Sequence, residues 1–83
     1  MKAEDLLPDE KNQVTIDGVI VRKGSVGAFI ANATVWMDTA ASAEDKRIAE
    51  QDMAAGLPAL RALKLFEVFS VRNESLRTFV ETH

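Results

Sequence analysis

Two basic residues, two glycines and a serine stand together in Arg22-Lys23-Gly24-Ser25-Val26-Gly27. Backbone N–H groups at a helix start, glycines that admit a close approach, a hydroxyl and nearby cations are the parts of an anion or phosphate site. Arg22, Lys23, Gly24, Ser25 and Gly27 are therefore the candidate ligand-binding residues. The pattern is not a Walker A loop, which ends in Gly-Lys-Ser/Thr at longer spacing, nor a GxGxxG loop. A strand end, a glycine turn and a serine helix cap account for Gly24 and Ser25 without any ligand. Gly27 is left over. It falls in a first helical turn, where alanine is favoured by up to ~1 kcal/mol. Either the helix starts later, or a ligand or a neighbouring backbone approaches closely there.

Other chemistries lack their residues. The sequence has no cysteine and no tyrosine, and its one histidine, His83, stands last. Thiolate metal sites, cysteine nucleophiles, histidine-based triads and tyrosine acids are thereby excluded. A final residue is expected to be mobile and poorly placed for catalysis. The acids gather as adjacent pairs, Asp9-Glu10 and Glu44-Asp45, which is typical of solvated charge rather than of converging carboxylates. We expect no catalytic residue, no metal site and no cofactor, hence not an enzyme.

Composition bounds the rest. A length of 83 residues implies a single domain, 1–83. At this size folding buries roughly 60–65% of the unfolded chain's surface. A 47% hydrophobic and 28% charged composition argues for a folded globular chain rather than disorder. The net charge of −3 disfavours nucleic acid, which needs a basic surface. No apolar run approaches the ~20 residues of a membrane span, and the opening "MKAEDLLPDEK" has no signal-peptide core. With the absence of cysteine, this sets the expectation of a cytoplasmic protein that does not engage a membrane.

The elements that would position the glycine stretch are legible. Residues 1–11 form an extended acidic lead-in, broken by Pro8, in which Leu6 and Leu7 are the apolar exceptions. Residues 12–23 form a β-hairpin about Asp17-Gly18, because both positions of the favoured two-residue turn need positive φ. Ile16 then faces Val19 and Val14 faces Val21, with all four on one apolar face. Apolar spacing of three and four marks a helix over 25–40, capped by Ser25. A second helix spans 43–55, capped by Ser42 and stopped by Gly56, with a thin stripe suited to the surface. A third spans 58–65 with Pro58 in its first turn. The alternation in "FEVFSVR" favours a short third strand near 67–71 over continued helix. Asn73 then caps a helix over 73–82.

The expected order is ββαααβα: an α+β fold in which a small antiparallel sheet packs on three to four helices. Its core is expected to hold Val14, Ile16, Val19, Val21, Val26, Phe29, Ile30, Ala33, Met37, Leu60, Leu63, Phe66, Phe69, Leu76, Phe79 and Val80. That is more large apolar residues than one small core needs. The expected function is accordingly a small non-enzymatic interaction or regulatory module that self-associates, with a homodimer as its default form. Leu6, Leu7 and Trp36 are the interface candidates, since apolar and tryptophan side chains anchor partners. An anion- or phosphate-binding domain using loop 22–27 is the alternative.

Overall fold

Asp17 and Gly18 sit at φ 49° and 80°, the positive pair that a type I′ hairpin turn requires. The turn fixes the register of β1 (Gln13–Ile16) on β2 (Val19–Arg22): Val14 lies opposite Val21 and Ile16 opposite Val19. The computed structural model describes residues 12–83, and all that follows concerns them. The hairpin's apolar face turns inward. Val21 is buried, Val14, Ile16 and Val19 are half-buried, and Thr15 and Ile20 face out.

Four helices follow, so the fold is α+β with the hairpin first. Helix α1 spans Ser25–Met37. It ends three residues before the expected 40, where the Asp38 carboxylate accepts a hydrogen bond from Ala40 N at 2.9 Å and turns the chain. Helix α2 spans Ala43–Ala62 without interruption. The expected helices 43–55 and 58–65 are thus one, running through Gly56 and Pro58. Its start is as the sequence indicates, with Ser42 Oγ accepting from Asp45 N at 3.0 Å. The Arg47 guanidinium beside Glu44 holds that carboxyl below the usual carboxylate range. The anion therefore persists in the first turn, where the helix dipole favours it.

The physical reason for the merger lies in the core. Met53, Leu57 and Leu60 recur at spacings of four and three, and they are the most deeply buried large side chains of the chain as described. Keeping them on one continuous helical face offsets the local cost of glycine and proline. Helix α2 is therefore the centre of the fold and not a surface helix. It packs against α1, against β2 and against α3.

Lys64 breaks α2 in the left-handed region, at φ 65°. The chain re-enters as a single turn, α3 (Leu65–Val68), and then runs extended to Asn73. The third strand expected near 67–71 is not formed, and the sheet holds two strands among the described residues. A strand needs an edge to pair with. The Lys64 turn instead lays Leu65 and Phe66 against the core, with Phe66 edge-on to Phe29 at 6.1 Å. Helix α4 (Glu74–Thr82) starts as expected: Asn73 Oδ1 accepts from Leu76 N at 2.9 Å. Its inner face, Leu76, Phe79 and Val80, is buried against α1 and α2.

Three residues assigned to the core by periodicity are not in it. Ile30, Met37 and Phe69 are 59%, 42% and 65% exposed. Periodicity identifies the apolar side of α1 but not how much of that side another element covers.

Candidate functional site

The glycine stretch is a joint between strand and helix. Gly24, and not Ser25, is the N-cap of α1, at φ 88° and ψ 4°. This left-handed geometry suits glycine and explains its presence. Ser25 is the first helical residue. Its hydroxyl donates back to the Arg22 carbonyl at 2.6 Å and closes the turn. Arg22 and Lys23 are exposed just before it. Helix α1 carries no acid in its first turn.

Gly27 is exposed, and a Cβ built there meets nothing within 4 Å. Close backbone packing therefore does not explain Gly27. We expect Gly27→Ala to raise stability by up to ~1 kcal/mol, read as a higher denaturation midpoint, because alanine loses less backbone entropy in a helix. A fall in stability would show that the first turn is held otherwise.

Trp36 is half-buried on the flank of the core. Its ring lies 5.8 Å from that of Phe79, and its indole N–H donates to Glu50 Oε2 at 3.3 Å. Leu6 and Leu7 lie outside the described residues. His83 does not behave as a free end. Its ring stacks on Phe79 at 4.1 Å and its Nδ1 lies 2.9 Å from the Phe79 carbonyl. Arg61 donates to the Val80 carbonyl at 2.9 Å and to the His83 carbonyl at 3.2 Å, which ties this end of α4 to α2.

An apolar groove lies elsewhere, on the open side of α1. A groove of about 450 Å³ runs between α1, α3, the extended segment after it, and α4. Val26, Phe29, Ile30, Ala33 and Met37 of α1 form one wall. Leu65, Phe66, Phe69 and Val71 form the other, and Leu76 closes it. Among the described residues no ionisable side chain lines it. The only polar members are Thr34 and Ser70, and the Thr34 hydroxyl donates within the helix to the Ile30 carbonyl at 2.8 Å. Phe69 of this wall is 65% exposed, and Val68, next to it in the chain, is 73% exposed.

Such a groove can exclude water around an apolar group, and among the described residues its lining holds no ionisable side chain beside the Thr34 and Ser70 hydroxyls. Of the sequence candidates, none of Arg22, Lys23, Gly24, Ser25, Gly27 and Trp36 lines it. Its residues were visible in the sequence as an apolar surplus, and that surplus was their only signal. Compared with known protein families, with curated proteins and with solved structures, the chain matches none of them.

Proposed function

We propose that this chain is a small non-enzymatic interaction module that seats an apolar segment of another protein chain in the α1–α3–α4 groove. A second copy is the default partner. The observation that carries this reading is the exposure of Val68 and Phe69, 73% and 65%, beside a groove with apolar walls. Leaving side chains of this kind in water forgoes ~1.5–3 kcal/mol apiece relative to full burial. Phe69 joins these exposed side chains to the groove wall, so a two-fold arrangement lets each copy place them against the other's groove.

The patch is small, which puts self-association in the weak class. In sedimentation equilibrium we expect the mass to rise with concentration towards that of a dimer by ~1 mM, an association worth about 4 kcal/mol. Phe69→Ser should stay monomeric with an unchanged melting temperature, since this side chain contributes little to the folded core. A native chain that remains strictly monomeric over the same range overturns self-association through this face.

A further inference from the structure

We infer that a second copy packs its α1 antiparallel along this α1, with the two-fold axis beside Ile30 and Ala31. This pairing rests on the reading of a second copy as the partner and adds how the two copies meet.

Helix α1 carries no ionisable residue from Ser25 to Met37, although Gly27, Ala28, Ile30, Ala31, Thr34 and Val35 are exposed. The other long helices carry exposed charge, Glu44, Arg47, Glu50 and Asp52 on α2 and Glu74, Arg77 and Glu81 on α4. A surface helix in water ordinarily sets such charges opposite its apolar stripe. Gly27, Ile30, Ala31 and Thr34 stand at i, i+3, i+4 and i+7, on one side of α1. Ile30 and Thr34 also line the groove, so this side continues the groove's α1 wall outward. The Thr34 hydroxyl already donates to the Ile30 carbonyl at 2.8 Å. Covering this side therefore leaves that hydroxyl donor paired.

The charges at its two ends indicate what covers it. Exposed Arg22 precedes the N-cap Gly24, and exposed Asp38 is the C-cap. They stand at opposite ends of a helix about 20 Å long and do not meet within one copy. Asp38 Oδ1 accepts from Ala40 N at 2.9 Å, and its second carboxylate oxygen remains for a cation. An antiparallel second copy brings its Asp38 beside Arg22 and its Arg22 beside Asp38, so the pair forms twice by symmetry. A parallel copy would set like charges and like helix ends together. Residue 30 is midway between 22 and 38, so matching the charges places the axis at Ile30.

The same register sets Gly27 across from the partner's Thr34. Within the chain nothing packs on Gly27, and a Cβ there would meet nothing within 4 Å. Between copies the missing Cβ lets a second helix come close. The residue that costs the isolated helix most is thus the one that admits its partner. Helices of this length cover on the order of a few hundred Å² per copy, which keeps the dimer in the weak class.

In sedimentation equilibrium up to ~1 mM, Arg22→Asp and Asp38→Arg should each weaken association about tenfold. An equimolar mixture of the two variants should regain the native strength, because each copy then meets the opposite charge at both ends. Gly27→Leu should keep or raise the melting temperature and abolish association. The chain has no cysteine, so Ala31→Cys gives each copy one thiol, beside the axis. Mild oxidation should link these copies, whereas Ile48→Cys on α2 should not link. A native chain that associates without preferential linking at Ala31→Cys, or with Gly27→Leu unaffected, overturns the α1 pairing and leaves self-association standing. A mixture no stronger than its components also overturns the pairing. Linking at Ala31→Cys with a Phe69→Ser variant that still associates upholds the α1 pairing and removes the groove from the contact. A native chain that is monomeric throughout overturns both.

Discussion

Leu57→Ala should destabilise the protein by about 3–4 kcal/mol, the middle of the range for a leucine lost from a closed core. Leu57 is 0% exposed. It sits in the last third of α2 in a cluster with Phe29 of α1 and Phe79 of α4, so three elements border the space its side chain fills. The cost adds the lost transfer of the leucine side chain from water to the cavity it leaves. A domain of this size holds a total of roughly 4–12 kcal/mol, so the variant should lose about 15–25 °C in melting temperature. Two controls sharpen the reading. Leu57→Met keeps the volume and should cost less than ~1.5 kcal/mol. Ile48→Ala, at a side chain 43% exposed on the same helix, should cost less than ~1.5 kcal/mol. A loss below ~1 kcal/mol at Leu57 would mean that residue 57 lies in a break between two helices, as the local glycine and proline signals imply.

The same residue marks the limit of what local sequence signals specify. The hairpin was fully legible. Asp17-Gly18 demands a specific turn, and once the turn is placed the register follows by counting. The caps Ser42 and Asn73 were legible for a similar reason, because each hydrogen bond spans three residues. Helix α2 was misdivided because Gly56 and Pro58 state a local preference, whereas the preference that prevails is summed along the burial of Ala49, Met53, Leu57 and Leu60. The groove was illegible for a different reason. Val26, Phe29, Ile30, Ala33 and Met37 define one apolar side, and the spacing of Ile30 and Met37 is no different from that of core residues. Whether a neighbouring element reaches far enough to cover them depends on α3. That turn exists because Lys64 adopts a left-handed conformation that nothing in its neighbours announces. The surplus of apolar residues was therefore readable as a number and not as a place. Among the site candidates, Gly24 and Ser25 form the joint that the sequence indicates, but Gly24 and not Ser25 caps the helix. Gly27 keeps no packing explanation.

Pro58→Ala tests the course of α2 by the sign of its effect. Inside a helix proline removes a donor, so the Ala54 carbonyl four residues back loses its helical partner, and the ring crowds that carbonyl. Pro58 is exposed and lies within the helix that runs on to Ala62. Alanine restores the donor and is favoured by about 3 kcal/mol in a helix interior. Up to about 1 kcal/mol is returned because proline also restricts the unfolded chain. The net expectation is a gain of about 2 kcal/mol, measured by denaturant unfolding at an unchanged slope. The backbone amide that the substitution introduces should exchange slowly, as for a hydrogen-bonded helical position. Were Pro58 the first residue of a separate helix, the missing N–H would be one of the unpaired donors in any case and the fixed φ would suit the helix start. Alanine would then give no gain, or a loss of ~0.4–1 kcal/mol, and its amide would exchange fast. The two courses of the chain thus predict opposite signs at one solvent-facing position. There the substitution disturbs no core packing, so the measured sign reports on the backbone alone.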